Sequence, residues 1–348
     1  HRSILGVVLI ALAATSTTWA ASLKRAAHLL STPHVVASAA VSPAAADCTR
    51  VVESITFEAR GLERTTGALP QALGARLPST VRFREVDGRG LMARVWVNGA
   101  GSYSFAIDTG AGATLLSERV AREAAVGTRR GRVTLGGLSG VGAASGREAV
   151  LSSLAIGESD NMLPARGLFI VTDSLPPGVD GVLDPTEAYW PLGYVIDLPQ
   201  GELRAFDPRT TPLSREDETP GAAVVQWLFE AGSRRPFVML NGARRALIDT
   251  GSHFGLALGA DDARAIGIIQ DGRGRNHDSL RDIGGRQVAA TRIAPATVNI
   301  GALSLRGVPT DLLTGARTGA PILLGRDALQ PFELTFDPLH RLIRIAPG

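Results

Sequence analysis

Apolar positions along this chain come in short runs broken by Gly, Asn and Asp, the pattern of strands joined by tight turns rather than of long helices. The runs also come in two matching sets. "VWVNGAGSYSFAI", residues 95–107, is an apolar strand, an Asn-Gly turn at Asn98-Gly99 and a second apolar strand. "FVMLNGARRALI", residues 237–248, repeats it around Asn241-Gly242. An Asn-Gly pair between apolar runs is a hairpin signal, because both turn residues must accept positive φ. Each hairpin is followed by a short helical stretch, "SERVAREAAVG" with Ser117 as N-cap and "GADDARAIG" ending at Gly267.

Between hairpin and helix the apolar pattern is broken by a carboxylate. Asp108-Thr109-Gly110-Ala111 ends the first hairpin and Asp249-Thr250-Gly251-Ser252 the second. Read alone, Asp-Thr-Gly is an ordinary turn in which Asp bonds local amides and Gly supplies unusual φ. Two copies in register call for another reason. Further downstream, "GVLD" with Val182, Leu183 and Asp184 matches "ILLG" with Leu323, Leu324 and Gly325 at the same offset from the aspartate. Both copies close on a strand pair, "YVIDLPQGELRAF" and "LTFDPLHRLIRI". The reading is an internal repeat: one lobe over 81–207, a Pro-containing linker over 208–220, and a second lobe over 221–348.

Composition supports compact, turn-rich β structure: 45% of residues are hydrophobic, with 40 Gly and 20 Pro but only 5% aromatics. The net charge is only +3 and Lys24 is the sole lysine. Arginines are scattered singly or in pairs, not gathered into a basic stripe, which speaks against a nucleic-acid partner. Cys48 is the only cysteine, so no intramolecular disulfide forms. His253 and His277 lack companions for a metal site and read as surface histidines; no metal or cofactor is expected. No Gly-x-Ser-x-Gly elbow or phosphate-loop spacing occurs. Residues 1–20 have a basic start, an apolar run and small residues near Ala20, the layout of a secretory signal, with an uncleaved membrane anchor as the alternative. Residues 21–80 are a spacer or a propeptide. The expectation is export, to a periplasmic or secreted location or to a membrane held through the N-terminus.

Two equivalent carboxylates meet if the lobes pack about a pseudo-twofold axis. Close together they share a proton and titrate as a pair, which permits general acid and base catalysis on one water. Together these motifs resemble the retropepsin-like aspartic peptidases, here as two copies in one chain with a pepsin-like bilobal plan, over about three quarters of the sequence. The resemblance implies an all-β fold with short helices: two acid-protease β-barrel lobes related by a pseudo-twofold axis. It implies Asp108 and Asp249 as catalytic dyad of an aspartic endopeptidase that binds polypeptide in extended form and works as a monomer. It implies Thr109 and Thr250 as a hydrogen-bonded grip beneath the dyad, with Gly110 and Gly251 permitting the tight turn. Flap candidates are Gly136, Gly137 and Leu138 in "TLGGLSGVG", and Gly284 and Gly285 in "DIGGR"; ordinary Gly-rich loops are the alternative. Ser252 is expected to hydrogen-bond the outer oxygen of Asp249, which Ala111 cannot do for Asp108, making Asp108 the member of higher pKa. Asp184 departs from the family's Gly. There it would crowd the core and perturb the dyad, or point outward from a shifted turn. The alternative function is therefore a catalytically impaired peptide-binding or scaffold protein.

Overall fold

The computed structural model describes residues 52–53, 57–60, 76–137, 143–230, 233–268, 275–281, 287–314 and 319–348. The Asn-Gly hairpins form in both copies. Strand Gly90–Val97 pairs antiparallel with Ala100–Ile107, and Ser233–Leu240 with Arg244–Asp249. Asn98 and Asn241 sit at φ 51° and 50°, Gly99 and Gly242 at 78° and 63°, the doubly positive geometry of a two-residue hairpin turn. Both asparagines do further work. The amide of Asn98 donates to the Ala124 carbonyl at the end of helix Glu118–Glu123, and that of Asn241 donates to Ile266 after helix Ala260–Ala265. Their carbonyl oxygens accept the amides of Ser152 and Asn299. Asn supplies a donor, an acceptor and tolerance of positive φ at one position.

Each aspartate strand lies parallel to the apolar segment found downstream. Ala100–Ile107 pairs with Gly181–Leu183, and Arg244–Asp249 with Ile322–Gly325. The strand after each Asp-Thr-Gly, Thr114–Ser117 or Leu256–Leu258, pairs antiparallel with the other side of that segment. Every residue of these two apolar segments is buried. The aspartates are thus carried on strands with neighbours on both sides, not on a free loop.

The structure is mainly β with four short helices and a 3-10 turn among the described residues. An 11-stranded sheet carries the first lobe and a 9-stranded sheet the second. A third, six-stranded sheet joins them, with three strands from each half. Its central pair, Gly193–Asp197 with Phe332–Asp337, comes from the two closing motifs that the sequence placed in separate lobes. Tyr194 and Phe336 stack across it at 4.6 Å between ring centres. One hydrophobic cluster consequently runs from Val81 to Ile345 through both lobes.

Two N-terminal pieces add to sheet edges. Val52–Glu53 pairs parallel with Leu280–Arg281 of the second-lobe hairpin, and Phe57–Arg60 pairs antiparallel with Thr134–Gly137 of the first. Residues 1–51 lie outside the described residues, and with them the expected signal and Cys48. Among the described residues no helix is long and apolar enough to cross a membrane.

Candidate active site

The two Asp-Thr-Gly turns meet at the junction of the lobes. Asp108 and Asp249 are both fully buried, as are Thr109 and Thr250. The threonines cross over. Each backbone amide donates to the other's hydroxyl at 3.1 Å. The Thr109 hydroxyl donates to the Ile248 carbonyl at 2.6 Å and the Thr250 hydroxyl to that of Ile107 at 3.3 Å. Those carbonyls belong to the residues just before the aspartates, so the four bonds fix one aspartate strand against the other. Buried hydroxyls and amides left unpaired would each cost roughly 1–3 kcal/mol, so the crossed pattern has little freedom to slip.

The carboxylates face each other across the two glycines. A Cβ on Gly251 would come within 2.3 Å of the Asp108 carboxyl carbon and Oδ2; one on Gly110 would come within 2.9 Å of the Asp249 carboxyl carbon and Oδ1. Neither glycine has positive φ. Their role therefore differs from the expected one: glycine is required here for the space that the opposite carboxyl group occupies, not for a backbone turn that other residues cannot make.

Burial raises the Asp108 pKa well above the usual carboxylate range, and the Asp249 charge raises it further. The Gly110 amide, donating to Asp108 Oδ1 at 2.7 Å, acts in the opposite sense. A smaller upward contribution comes from the charge of Asp184, and another from a carboxyl–carboxyl hydrogen bond with Asp249. The pair holds one proton more readily than two isolated carboxylates would.

Ser252 packs against Asp249 through its backbone. Its backbone amide donates to Asp249 Oδ1 at 3.0 Å, while its hydroxyl accepts the Phe254 amide at 3.4 Å. Alanine would keep the first of these bonds. Ala111 is fully buried in an apolar cluster with Ala113, Leu115 and Val182.

Asp184 is not turned outward: it is a third acid whose charge raises the Asp108 pKa, and it is accommodated as a helix cap. It is buried, and its Oδ1 accepts the Thr186 amide at 2.8 Å as N-cap of helix Pro185–Tyr189, with Pro185 in the first turn. Its own amide donates to the Thr114 hydroxyl at 3.2 Å. In the second lobe, Gly325 precedes helix Arg326–Leu329 without a side-chain cap. A Cβ there would meet the Phe254 and Ser252 carbonyl oxygens at 2.4 and 2.7 Å, so that copy admits only glycine. Val182, Leu183, Leu323 and Leu324 are fully buried around the aspartate strands.

Gly136 and Gly137 end the strand Val133–Gly137, whose partner in the hairpin is Ala143–Val150; Leu138 lies outside the described residues. Gly284 and Gly285 also lie outside them, between strands Arg275–Arg281 and Gln287–Ile300, which pair antiparallel up to Arg281 and Gln287. His253 is half-buried with its ring on Phe254 at 5.1 Å, not a surface residue as expected. Among the described residues no cluster of three or more His, Cys, Asp or Glu could hold a metal.

Sequence reasoning missed four charged residues that join the lobes near the dyad. Arg326 is buried, donates from Nη1 to the Thr250 carbonyl at 2.7 Å and pairs through Nε with Glu85 at 3.1 Å. Glu187 is fully buried, and its Oε2 accepts from Arg234 at 3.0 Å and from the Leu168 amide at 3.0 Å. Glu187 had a readable signal, since Asp-Pro-Thr-Glu is a helix-start pattern with an acid at its third helical position; its partner across the lobes had none.

Residues 93–183 match the aspartyl protease family. Comparison with curated protein sequences gives no match. Among solved structures the chain resembles the aspartic proteinase from Irpex lacteus, at 16% identity and a TM-score of 0.50. The similarity covers 78% of this chain and 97% of that one. The first lobe is thus similar in sequence to the aspartyl protease family over residues 93–183, and the chain has the fold of the aspartic proteinases.

Proposed function

We propose that the chain is an aspartic endopeptidase. A water held between Asp108 and Asp249 attacks a peptide carbonyl: the ionised carboxyl takes the proton of the water while the protonated one donates to the carbonyl oxygen. The observation that carries this reading is the packing of each buried carboxyl against the glycine of the opposite turn, which places two acids where only a shared proton relieves their repulsion. The elevated Asp108 pKa supports an acid in protonated form at mildly acidic pH. Extended polypeptide is the substrate class. The antiparallel addition of the chain's own Phe57–Arg60 to Thr134–Gly137 supports this, because that edge accepts an extended strand by backbone pairing.

The peptide-binding alternative rested on Asp184 crowding the site or perturbing the dyad; its place as a helix cap speaks against the first, while its charge does raise the Asp108 pKa. Cleavage of a denatured protein mixture between pH 3 and 7 tests the proposal against Asp108→Asn and Asp249→Asn. Loss of cleavage in either variant is expected. Cleavage that persists in both, or a wild type that cuts nothing with residues 1–75 present or removed, overturns it.

A further inference from the structure

Two ion pairs near the dyad join the lobes from the helices that follow Asp184 and Gly325, with opposite polarity and from positions that the internal repeat does not make equivalent. The second lobe sends Arg326, from the helix after Gly325, to Glu85 of the first. The first lobe sends Glu187, from the helix after Asp184, to Arg234 of the second. Counted from Asp184 and Gly325, the counterpart of Arg326 is Pro185 and that of Glu187 is Ala328. Counted back from the Asn-Gly turns, the counterpart of Arg234 is Leu91. Neither pair is therefore inherited from an ancestral symmetric interface, in which both contacts would be identical.

Both pairs also reach the segment that follows an aspartate. Arg326 holds the Thr250 carbonyl, one residue beyond Asp249. Its guanidinium lies beside Gly90, where a Cβ would meet Nη1 at 3.3 Å. Gly90 begins the strand whose Leu91 pairs with Ile107, the residue before Asp108. On the other side Glu187 holds the Leu168 amide, and the Leu168 carbonyl accepts the Thr114 amide in the turn after Asp108. Arg234 is further fixed by its position 4.1 Å from the centre of the Trp190 ring. Each clasp ties one lobe's aspartate turn to the body of the other.

We propose that Glu85–Arg326 and Arg234–Glu187 are reciprocal clasps that set the separation of the two aspartates, which makes these four side chains positioning residues of the dyad; the proposal rests on the peptidase reading above. The crossed threonines and the shared six-stranded sheet join the lobes, and the clasps add a tie from each aspartate turn to the opposite lobe. Their opposite polarity also makes the two lobes fit only each other. A first lobe paired with a second copy of itself would leave Glu187 buried against Leu91 with no cation, which is heavily penalised.

The test uses the full chain with Glu85→Ala, Arg234→Gln and the double variant. Glu85 is 49% exposed and Arg234 18% exposed, so neither change opens a core cavity. Two readouts are needed: kcat and KM on an unstructured protein substrate, and the two-step titration of the aspartate pair followed by the infrared bands of 13C-labelled aspartate. A few tenths of an ångström of dyad displacement should lower kcat about tenfold in each single variant, and further in the double, with KM within about twofold. The two apparent pKa values of the pair should move toward each other as the carboxyls separate. Lower thermal stability with unchanged kcat and unchanged titration overturns the proposal. The titration needs no turnover, so it reports on the clasps even if no form cleaves substrate, which would refute the peptidase reading instead.

Discussion

The packing of Gly251 under Asp108 permits a substitution whose effect can be worked from geometry. Ordinary contact with a Cβ begins at 3.4 Å, and the alanine methyl of Gly251→Ala would lie 2.3 Å from the Asp108 carboxyl carbon. The carboxyl group must then retreat by about 1 Å. A misplacement of that size in a catalytic site costs roughly 100-fold in rate. In Gly110→Ala the nearest distance is 2.9 Å, to Asp249, so the retreat is about half as large and the loss correspondingly smaller, roughly tenfold. Both glycines have ordinary φ, so alanine introduces no backbone strain and the comparison isolates the steric effect. The assay is kcat on an unstructured protein substrate at the wild-type pH optimum, with circular dichroism and thermal unfolding confirming that each variant is folded. Wild-type rates for both, or a greater loss in Gly110→Ala than in Gly251→Ala, would refute the facing arrangement of the carboxyls.

Three further outcomes follow from the same site. Asp184→Asn keeps the helix cap but removes a charge that raises the Asp108 pKa, so the alkaline limb of the kcat/KM profile should move to lower pH, whereas Asp184→Ala should also cost about 1 kcal/mol in denaturant unfolding. Because the Asp108 pKa is raised on folding, its stabilising contribution is complete below the unfolded value of 3.8 and is lost as pH rises through the folded value; Asp108→Asn should therefore raise the melting temperature relative to wild type more at pH 7 than at pH 4, and an equal difference at both would contradict the shift. Cutting the chain between residues 61 and 75 after folding, at an inserted protease site, should free the edge of Thr134–Gly137 that Phe57–Arg60 occupies and raise the rate on added substrate; a lower rate would mean that the strand supports the site rather than covering it.

The repeat made much of the lobe legible, because it rests on local chemistry that occurs twice. Asn98-Gly99 and Asn241-Gly242 announce hairpins through turn geometry, and the apolar runs around Asp108 and Asp249 announce buried strands that end in an acid. The cap at Asp184 was also readable, since Asp followed by Pro and an acid three residues on starts a helix; the comparison with Gly325 drew attention to what Asp184 replaced and away from what it does. Gly110 and Gly251 show the limit of such reasoning. Their identity is evident, but the reason for it lies on the other strand, 141 residues away by the Thr109–Thr250 separation.

Local patterning therefore settled the strand and turn identities, the two carboxylates and their place in each lobe, since these depend on contacts within a few residues or on a repeated offset. Only the tertiary structure decided how the halves combine. The closing strands joined into one sheet through backbone bonds that carry no sequence signature. Arg326 found Glu85, and Glu187 found Arg234, because burial leaves an ion no solvent and obliges it to meet its counter-charge wherever the fold brings one. A charged residue's type is written in the chain, but its partner is set by distance in space.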